Sequence, residues 1–400
     1  MHPSEDIKGM SSALLEDKRI VLGVTGSIAA VETVKLARQL IRHGAEVIPV
    51  MTPAAQKIIH PDALWFATGR KPIVELTGET EHVIFCGKVT DPADLLLISP
   101  CTANTLSKMA HGIDDTAVTT FATTAIGAQH PVLVVPAMHR SMYDHQMIQR
   151  NITDLNKLDH VTVLEPVLER NKAKLPSIDD ICAQVIRMVS QKKMENKKVL
   201  IIGGACCEPV DAVRSLCNHS SGKTAIAFAQ QGYFQGGTIE LWYGKSPESV
   251  PKYLSVKRFQ TVDEVKQLIE TTDMSRFDSI IVCAALSDFI PEKQLGKLDS
   301  QQQSLEISCK RSDKLIGLIR SKTERSIIVG FKLGTDEKTV IKKAQSLQRE
   351  YMLDSVIANT TSVLDAEDTH AWMVQDTKII PIKGSKEFLA RRVFDEIASM

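Results

Sequence analysis

Apolar residues along this chain come in short unbroken runs. The runs alternate with stretches where apolar residues recur every three to four positions, which is the pattern of strands buried on both faces and separated by amphipathic helices. The first unit is the clearest: a run at 20–22, the turn Gly23-Val24-Thr25-Gly26-Ser27, a helical pattern with Val34, Ala37 and Ile41 on one face, Gly44 as its stop, and a second run at 47–51. Runs at 93–98, 131–135 and 161–164 predict three more strands. After the polar stretch QKKMENKK the alternation restarts, with strands expected at 199–202, 238–242, 279–284 and 326–329. A hairpin of 372–374 with 379–382 about the turn 375–377, and a C-terminal helix over 386–399, close the chain. This pattern predicts an α/β protein of two Rossmann-like, doubly wound domains in tandem. Their expected bounds are 1–190 and 199–400, joined by a linker at 191–198 where the composition turns polar.

Composition narrows the partners. The chain has 400 residues, enough for at least two cores, and its 48 basic and 48 acidic residues cancel. With no Lys/Arg run to act as an electrostatic footprint, nucleic acid is not an expected partner. No segment approaches the roughly 18 apolar residues of a membrane span, and the first residues lack the apolar centre of a signal peptide, so a cytoplasmic protein is expected. The 8 cysteines show no CxxC pairing, which argues against a zinc or thioredoxin-like site and for small buried apolar residues.

Chemistry concentrates where strands end. Glycines in the turn after the first strand let the backbone approach a ligand, and the free N–H groups of the following helical turn favour an anion, so a phosphate is expected near Gly26-Ser27-Ile28. Gly23 and Gly26 do not make the dinucleotide fingerprint, and a purely structural turn is the alternative. The third strand runs into Ser99-Pro100-Cys101-Thr102-Ala103-Asn104-Thr105, a polar cluster at a strand end where open α/β sheets bind ligands. The fourth ends in Pro136-Ala137-Met138-His139-Arg140-Ser141-Met142-Tyr143, which on composition alone is a loop with two core methionines. The polar stretch 166–180 reads as a mobile segment ahead of an amphipathic helix.

Taken in order, GVTGSIAA, SPCTANT and PAMHRSMY in the first half, with EPVDAVR and CNHSSGK in the second, resemble the bifunctional phosphopantothenoylcysteine decarboxylase and phosphopantothenate–cysteine ligase family of coenzyme A synthesis across nearly the whole chain. The resemblance implies that the first domain is a flavodoxin-like flavoprotein of the cysteine decarboxylase family that binds FMN. By motif, Gly26, Ser27 and Thr52 take the phosphate and ribityl chain, and Ser99, Thr102 and Asn104 lie near the isoalloxazine. His82 matches the catalytic histidine and would manage protons while FMN converts the substrate's thiol into an electron sink for CO2 loss. Met138, His139 and Met142 fall on the substrate motif, where His139 stands in place of Asn and Tyr143 in place of Trp. The segment 166–180 lacks the family's flap cysteine, with Cys182 adjacent.

For the second domain the resemblance implies an acyl cytidylate made from phosphopantothenate and CTP with Mg2+ or Mn2+, which the cysteine amine then attacks. Asn218 matches the residue that holds this intermediate and Lys297 the lysine on the triphosphate, catalytic positions like His82. Asp288, Phe331 and Asn359 match the nucleotide and substrate pocket. Cys206 stands where the family has Thr, and Leu347 and Tyr351 stand where it has two lysines. The family assembles its flavin site between subunits, so a homo-oligomer is expected. The reading set against this enzyme is a flavin-binding regulatory or scaffold protein of the same fold with one activity lost.

Overall fold

The computed structural model of the chain describes residues 2–294, 296, 304–361, 366, 368–376 and 378–400, and divides into two compact units, Met1–Ser190 and Gln191–Met400. In the first unit Arg19–Val24 lies between Glu46–Met51 and Leu95–Cys101, and all three run parallel. Val132–Pro136 and Val161–Val163 extend the sheet in the same direction. In space the strands follow the order second, first, third, fourth, fifth, the flavodoxin-like arrangement, which reverses direction between the first and third strands. Every residue of Leu95–Cys101 is buried, as a strand covered on both faces requires. Phe121, from the helix Ala117–Gly127, fills the core over this strand.

The helix after the first turn is Thr33–Arg42, and it buries Leu36, Ala37, Leu40 and Ile41. Val34 is only half-buried, because a 3-10 turn, Ile28–Glu32, precedes the helix and shifts its buried stripe. Gly44 has φ +105°, and a Cβ there would come 2.8 Å from the Glu16 backbone nitrogen, so the stop has to be glycine.

The stretch 166–180 forms a hairpin. Val167–Glu169 pairs with Lys172–Lys174, which in turn pairs with Met138–His139. Its polar composition reflects two solvent-facing strand sides, while Ala173 between them is buried.

In the second unit six parallel strands run in the order Ser255–Arg258, Thr238–Tyr243, Lys198–Gly203, Ser279–Val282, Ile327–Gly334 and Ser355–Thr360. Counted along the chain this is 3-2-1-4-5-6, the Rossmann order, with its reversal between Lys198–Gly203 and Ser279–Val282. Asp368–Gln375 and Lys378–Ser385 add an antiparallel pair at one edge, and Lys386–Ile397 packs its apolar face on the sheet. Two of these strands escape the apolar runs: Ser255–Arg258 is exposed throughout, and Ser355–Thr360 buries only four residues before turning polar. The polar stretch 191–198 packs on this unit, since Met194 is 1% exposed in its core and donates its N–H to the Gln235 carbonyl at 2.9 Å.

Candidate functional site

At the sheet reversal of the first unit, four helical segments begin around one cavity of about 530 Å³. Each start has a hydroxyl cap. Ser27 accepts from the Ala29 N–H, Thr52 from Ala55 N–H, Thr102 from Thr105 N–H, and Thr116 shares a reciprocal capping box with Thr119. The N-terminal turns therefore aim partial positive charge at one space, which suits a phosphate. Gly26 forms the close wall: a Cβ there would sit 2.5 Å from the Ala54 Cβ, so only glycine lets the chain pass. Gly26, Ser27, Thr52, Thr102 and Asn104 all line this cavity, and Met138 and Met142 close its far side.

The remaining residues of the first half lie elsewhere. Ser99 is fully buried, with its Oγ lacking a partner, and faces a second cavity of about 330 Å³ beside Thr33 and Leu36. Side chains alternate along Leu95–Cys101, and the residues that reach the flavin-sized cavity are those after the strand, not Ser99 within it. His139 is exposed and pairs with Lys172, and its Nδ1 meets the Ser141 hydroxyl at 3.0 Å, whereas its neighbour Met138 points inward. His82 sits in the helix Glu81–Cys86 with its ring edge against Phe121 at 6.4 Å between centroids. Its Nδ1 is buried without a hydrogen-bond partner, and it does not line the cavity. Cys182 is 1% exposed inside the helix Ile178–Val189 and lines neither cavity of this unit, and burial pushes its thiol above the ordinary range.

Thr25 is a residue the motifs passed over. Its hydroxyl donates to the Pro100 carbonyl at 2.7 Å and accepts from the Thr102 N–H at 3.0 Å, joining the ends of the first and third strands beneath the cavity. A polar residue between two glycines at a strand end was the available signal.

In the second unit the reversal point holds a smaller cavity, about 180 Å³, walled by Gly204, His219, Gly222, Ala285, Phe331 and Asn359 among others. Asn218 itself is outside the lining. Its N–H donates to the Cys206 carbonyl at 3.1 Å and its Nδ2 to the Ala285 carbonyl at 3.0 Å, so it ties the two strand ends together and presents the residues that follow it. The loop before it is a short hairpin, Cys207–Pro209 with Ser215–Cys217, and Cys207 and Cys217 are joined by a disulfide across it. These two cysteines depart from the expectation of small buried apolar residues, because the hairpin register sets them directly opposite one another. Cys86, Cys101, Cys182 and Cys206 are free and buried.

Glu208 is 2% exposed and accepts the Val262 N–H at 2.9 Å, and burial pushes its carboxyl pKa up. It anchors the hairpin to the helix Val262–Thr271. Burial also raises the Cys206 thiol to about 12, which keeps it protonated and inert at neutral pH. Asp288 is exposed, pairs with Lys314 and does not line the cavity, because the short strand Phe289–Pro291 carries it toward Cys309–Arg311. Lys297 lies outside the described residues. Lys332 and Lys386 line the cavity and were not singled out by any motif.

Among the described residues no helix is long and apolar enough to cross a membrane, and no three His, Cys, Asp or Glu side chains form a metal cluster.

Comparison with known proteins divides the chain at the same place as its contacts. The Flavoprotein family model matches residues 9–190, and the model for the DNA/pantothenate metabolism flavoprotein C-terminal domain matches residues 194–400. The coenzyme A biosynthesis bifunctional protein CoaBC of Thermococcus kodakarensis is 40% identical, over 100% of both chains. The protein of the same name from Methanocaldococcus jannaschii is 36% identical over 100% of this chain and 98% of its own, and that of Bacillus subtilis 28% identical over 92% and 91%. A solved FMN-dependent cysteine decarboxylase, SpaF, is 30% identical over 44% of this chain and 99% of its own, with a TM-score of 0.38.

Proposed function

The chain belongs to the family of coenzyme A biosynthesis bifunctional proteins, and from that premise we propose that its two cavities carry out two consecutive reactions. In the second unit cysteine is ligated to 4'-phosphopantothenate, with CTP and Mg2+ activating the carboxylate. In the first unit the resulting 4'-phosphopantothenoylcysteine is decarboxylated to 4'-phosphopantetheine with FMN. The observation that carries this reading is the convergence of four capped helical starts on a cavity at the flavodoxin-type sheet reversal, within the part of the chain that matches the Flavoprotein model.

The residues present fit FMN. The cavity offers one anion cradle, at Gly26, Ser27 and Thr52, which suits a monophosphate better than the pyrophosphate of FAD. Thr102 and Asn104 face the same space, and Met138 and Met142 supply an apolar cover for a flat ring. When bound, FMN supplies the electron acceptor and donor that a carboxylate beside a simple thiol lacks. The chain's own part is to hold phosphate at the helix starts, exclude water beneath the Met138 loop, and move a proton. His82 is the residue assigned to that proton, with its buried Nδ1 unpartnered and available. It lies away from the cavity of its own chain, and a second copy that brings cavity and His82 together accounts for both positions.

In the ligase half, Asn218 positions the loop His219-Ser220-Ser221-Gly222 against the ends of the central strands. Phe331 and Asn359 shape the opposite wall, and Asn359 Oδ1 is buried without a partner. Lys297 is assigned to the nucleotide phosphates on the strength of its motif. The protein is cytoplasmic in this reading.

Incubating the protein with 4'-phosphopantothenate, cysteine, CTP and Mg2+ tests the whole sequence. Appearance of 4'-phosphopantetheine and CO2 supports it. Accumulation of 4'-phosphopantothenoylcysteine alone, with flavin bound, favours a chain that has lost its decarboxylase, and no product at all favours the regulatory or scaffold reading.

A further inference from the structure

The flavin-sized cavity leaves Ser99 without a part, since the side chains that line it come from other positions. Ser99 follows the apolar residues Leu95 to Ile98 on their strand and is as fully buried as they are, and its Oγ meets no hydrogen-bond partner among the described residues. A buried hydroxyl is ordinarily bonded, because burial removes the water that would otherwise satisfy it. This one lies in the wall of the second cavity of the unit, about 330 Å³, lined from the helices Thr33–Arg42 and Ile178–Val189 and from the chain that leads into the latter.

The rest of that wall defines the chemistry of what fits. Leu36, Leu175, Pro176, Ile178 and Ile181 make it largely apolar. Two further hydroxyls are already engaged with backbone: Thr33 donates to the Ala30 carbonyl at 2.6 Å, and Ser177 accepts the Asp180 N–H at 3.1 Å as the cap of its helix. Ser99 is thus the one hydroxyl of the described lining with nothing to bond. A charged occupant does not fit. The described lining holds no Lys, Arg or His to pair an anion, and its carboxylate, Glu32, is half-buried and pairs with Lys35 at 3.1 Å. For size, an apolar cavity of roughly 150 Å³ takes benzene, so about twice that volume takes a bicyclic molecule.

We propose that this cavity is a binding site for a small neutral molecule of bicyclic size, apolar over most of its surface, with one polar group that bonds to the Ser99 hydroxyl. It shares no lining residue with the flavin-sized cavity. Leu175 and Pro176 follow directly on Lys172–Lys174, the strand that pairs with Met138–His139, so an occupant packs on the root of that hairpin.

Indole, a neutral bicycle with a single N–H, is the probe, titrated by calorimetry into the full-length protein as purified. Wild type binds one indole per chain. Ser99→Ala weakens indole about two- to tenfold, the range of one net hydrogen bond. The same variant binds 1-methylindole, which lacks the N–H, as wild type does. Indole-3-carboxylate, the same ring carrying a charge, does not compete. Leu175→Trp fills the cavity from a half-buried loop position and abolishes binding; should it fail to fold, Ile181→Phe takes its place. Absence of saturable indole binding in wild type overturns the proposal. Binding that survives in a folded Leu175→Trp or Ile181→Phe also overturns it, because the indole then sits elsewhere, the flavin-sized cavity included. An equal loss of indole and 1-methylindole affinity in Ser99→Ala overturns the bond to the Ser99 hydroxyl.

Discussion

The Thr102 backbone N–H donates to the Thr25 hydroxyl at 3.0 Å, across a separation of 77 residues. The same hydroxyl donates to the Pro100 carbonyl at 2.7 Å, so one 1%-exposed side chain fixes how far apart the two strand ends stand at the sheet reversal. Thr25→Val keeps the shape and removes both bonds, leaving a buried N–H and a buried carbonyl unsatisfied at a cost of about 1–3 kcal/mol. Flavin retention falls with it, because the Ser27 and Thr102 caps lose their spacing. Visible absorbance per chain after gel filtration, beside the thermal midpoint, measures both effects; full flavin content at an unchanged midpoint would show that Thr25 is only a filler.

His82→Asn separates the two activities. Removal of a positioned acid–base group typically costs about 10²–10⁴ in rate, so CO2 release collapses while flavin stays bound and ligation proceeds. Loss of ligation at the same time would mean that the division of labour between the two units is wrong.

The Cys207–Cys217 disulfide closes the hairpin that ends at Asn218. Opening it frees the backbone that sets Asn218 against Ala285, at a cost on the order of 2–4 kcal/mol to the second unit. Cys217→Ser is expected to lower that unit's melting temperature and raise the ligation KM, with decarboxylation unchanged. A reductant reproduces the effect in wild type and adds nothing to the variant. If Cys217→Ser ligates and melts like wild type, the hairpin is held by Glu208 through its bond to the Val262 N–H instead.

Two histidines make the first unit sensitive to acid. Burial is the main cause that lowers the pKa of both His43 and His130, against weaker opposing effects of Asp179 and Asp94. The folded state therefore binds fewer protons than the unfolded chain just below the ordinary histidine value of 6.5. Their contribution to stability is complete above that value and is lost as pH falls from it toward the lowered folded values. The melting temperature of the first unit should drop as pH is lowered from 7.5 through roughly 6, and His130→Asn should flatten the drop. A midpoint independent of pH over this range in wild type would remove histidine burial as a cause.

The sequence by itself determined the α/β class, most of the strands and the turns that carry chemistry. Buried parallel strands need unbroken apolar runs, and a chain passing close to another segment needs glycine, as at Gly26 beside Ala54. Those requirements are local and leave a mark in a few adjacent letters. Ser255–Arg258, exposed throughout, left no such mark and was missed. What tertiary structure alone decided is which residues share a space. Strand alternation turns Ser99 and His139 away from the cavity that their neighbours Thr102 and Met138 line. Hairpin register pairs Cys207 with Cys217, and a helix that begins 163 positions after Lys223 brings Lys386 into the same wall as Gly222. Burial, facing direction and proximity depend on the packing of segments far apart in sequence, and no window of residues contains them.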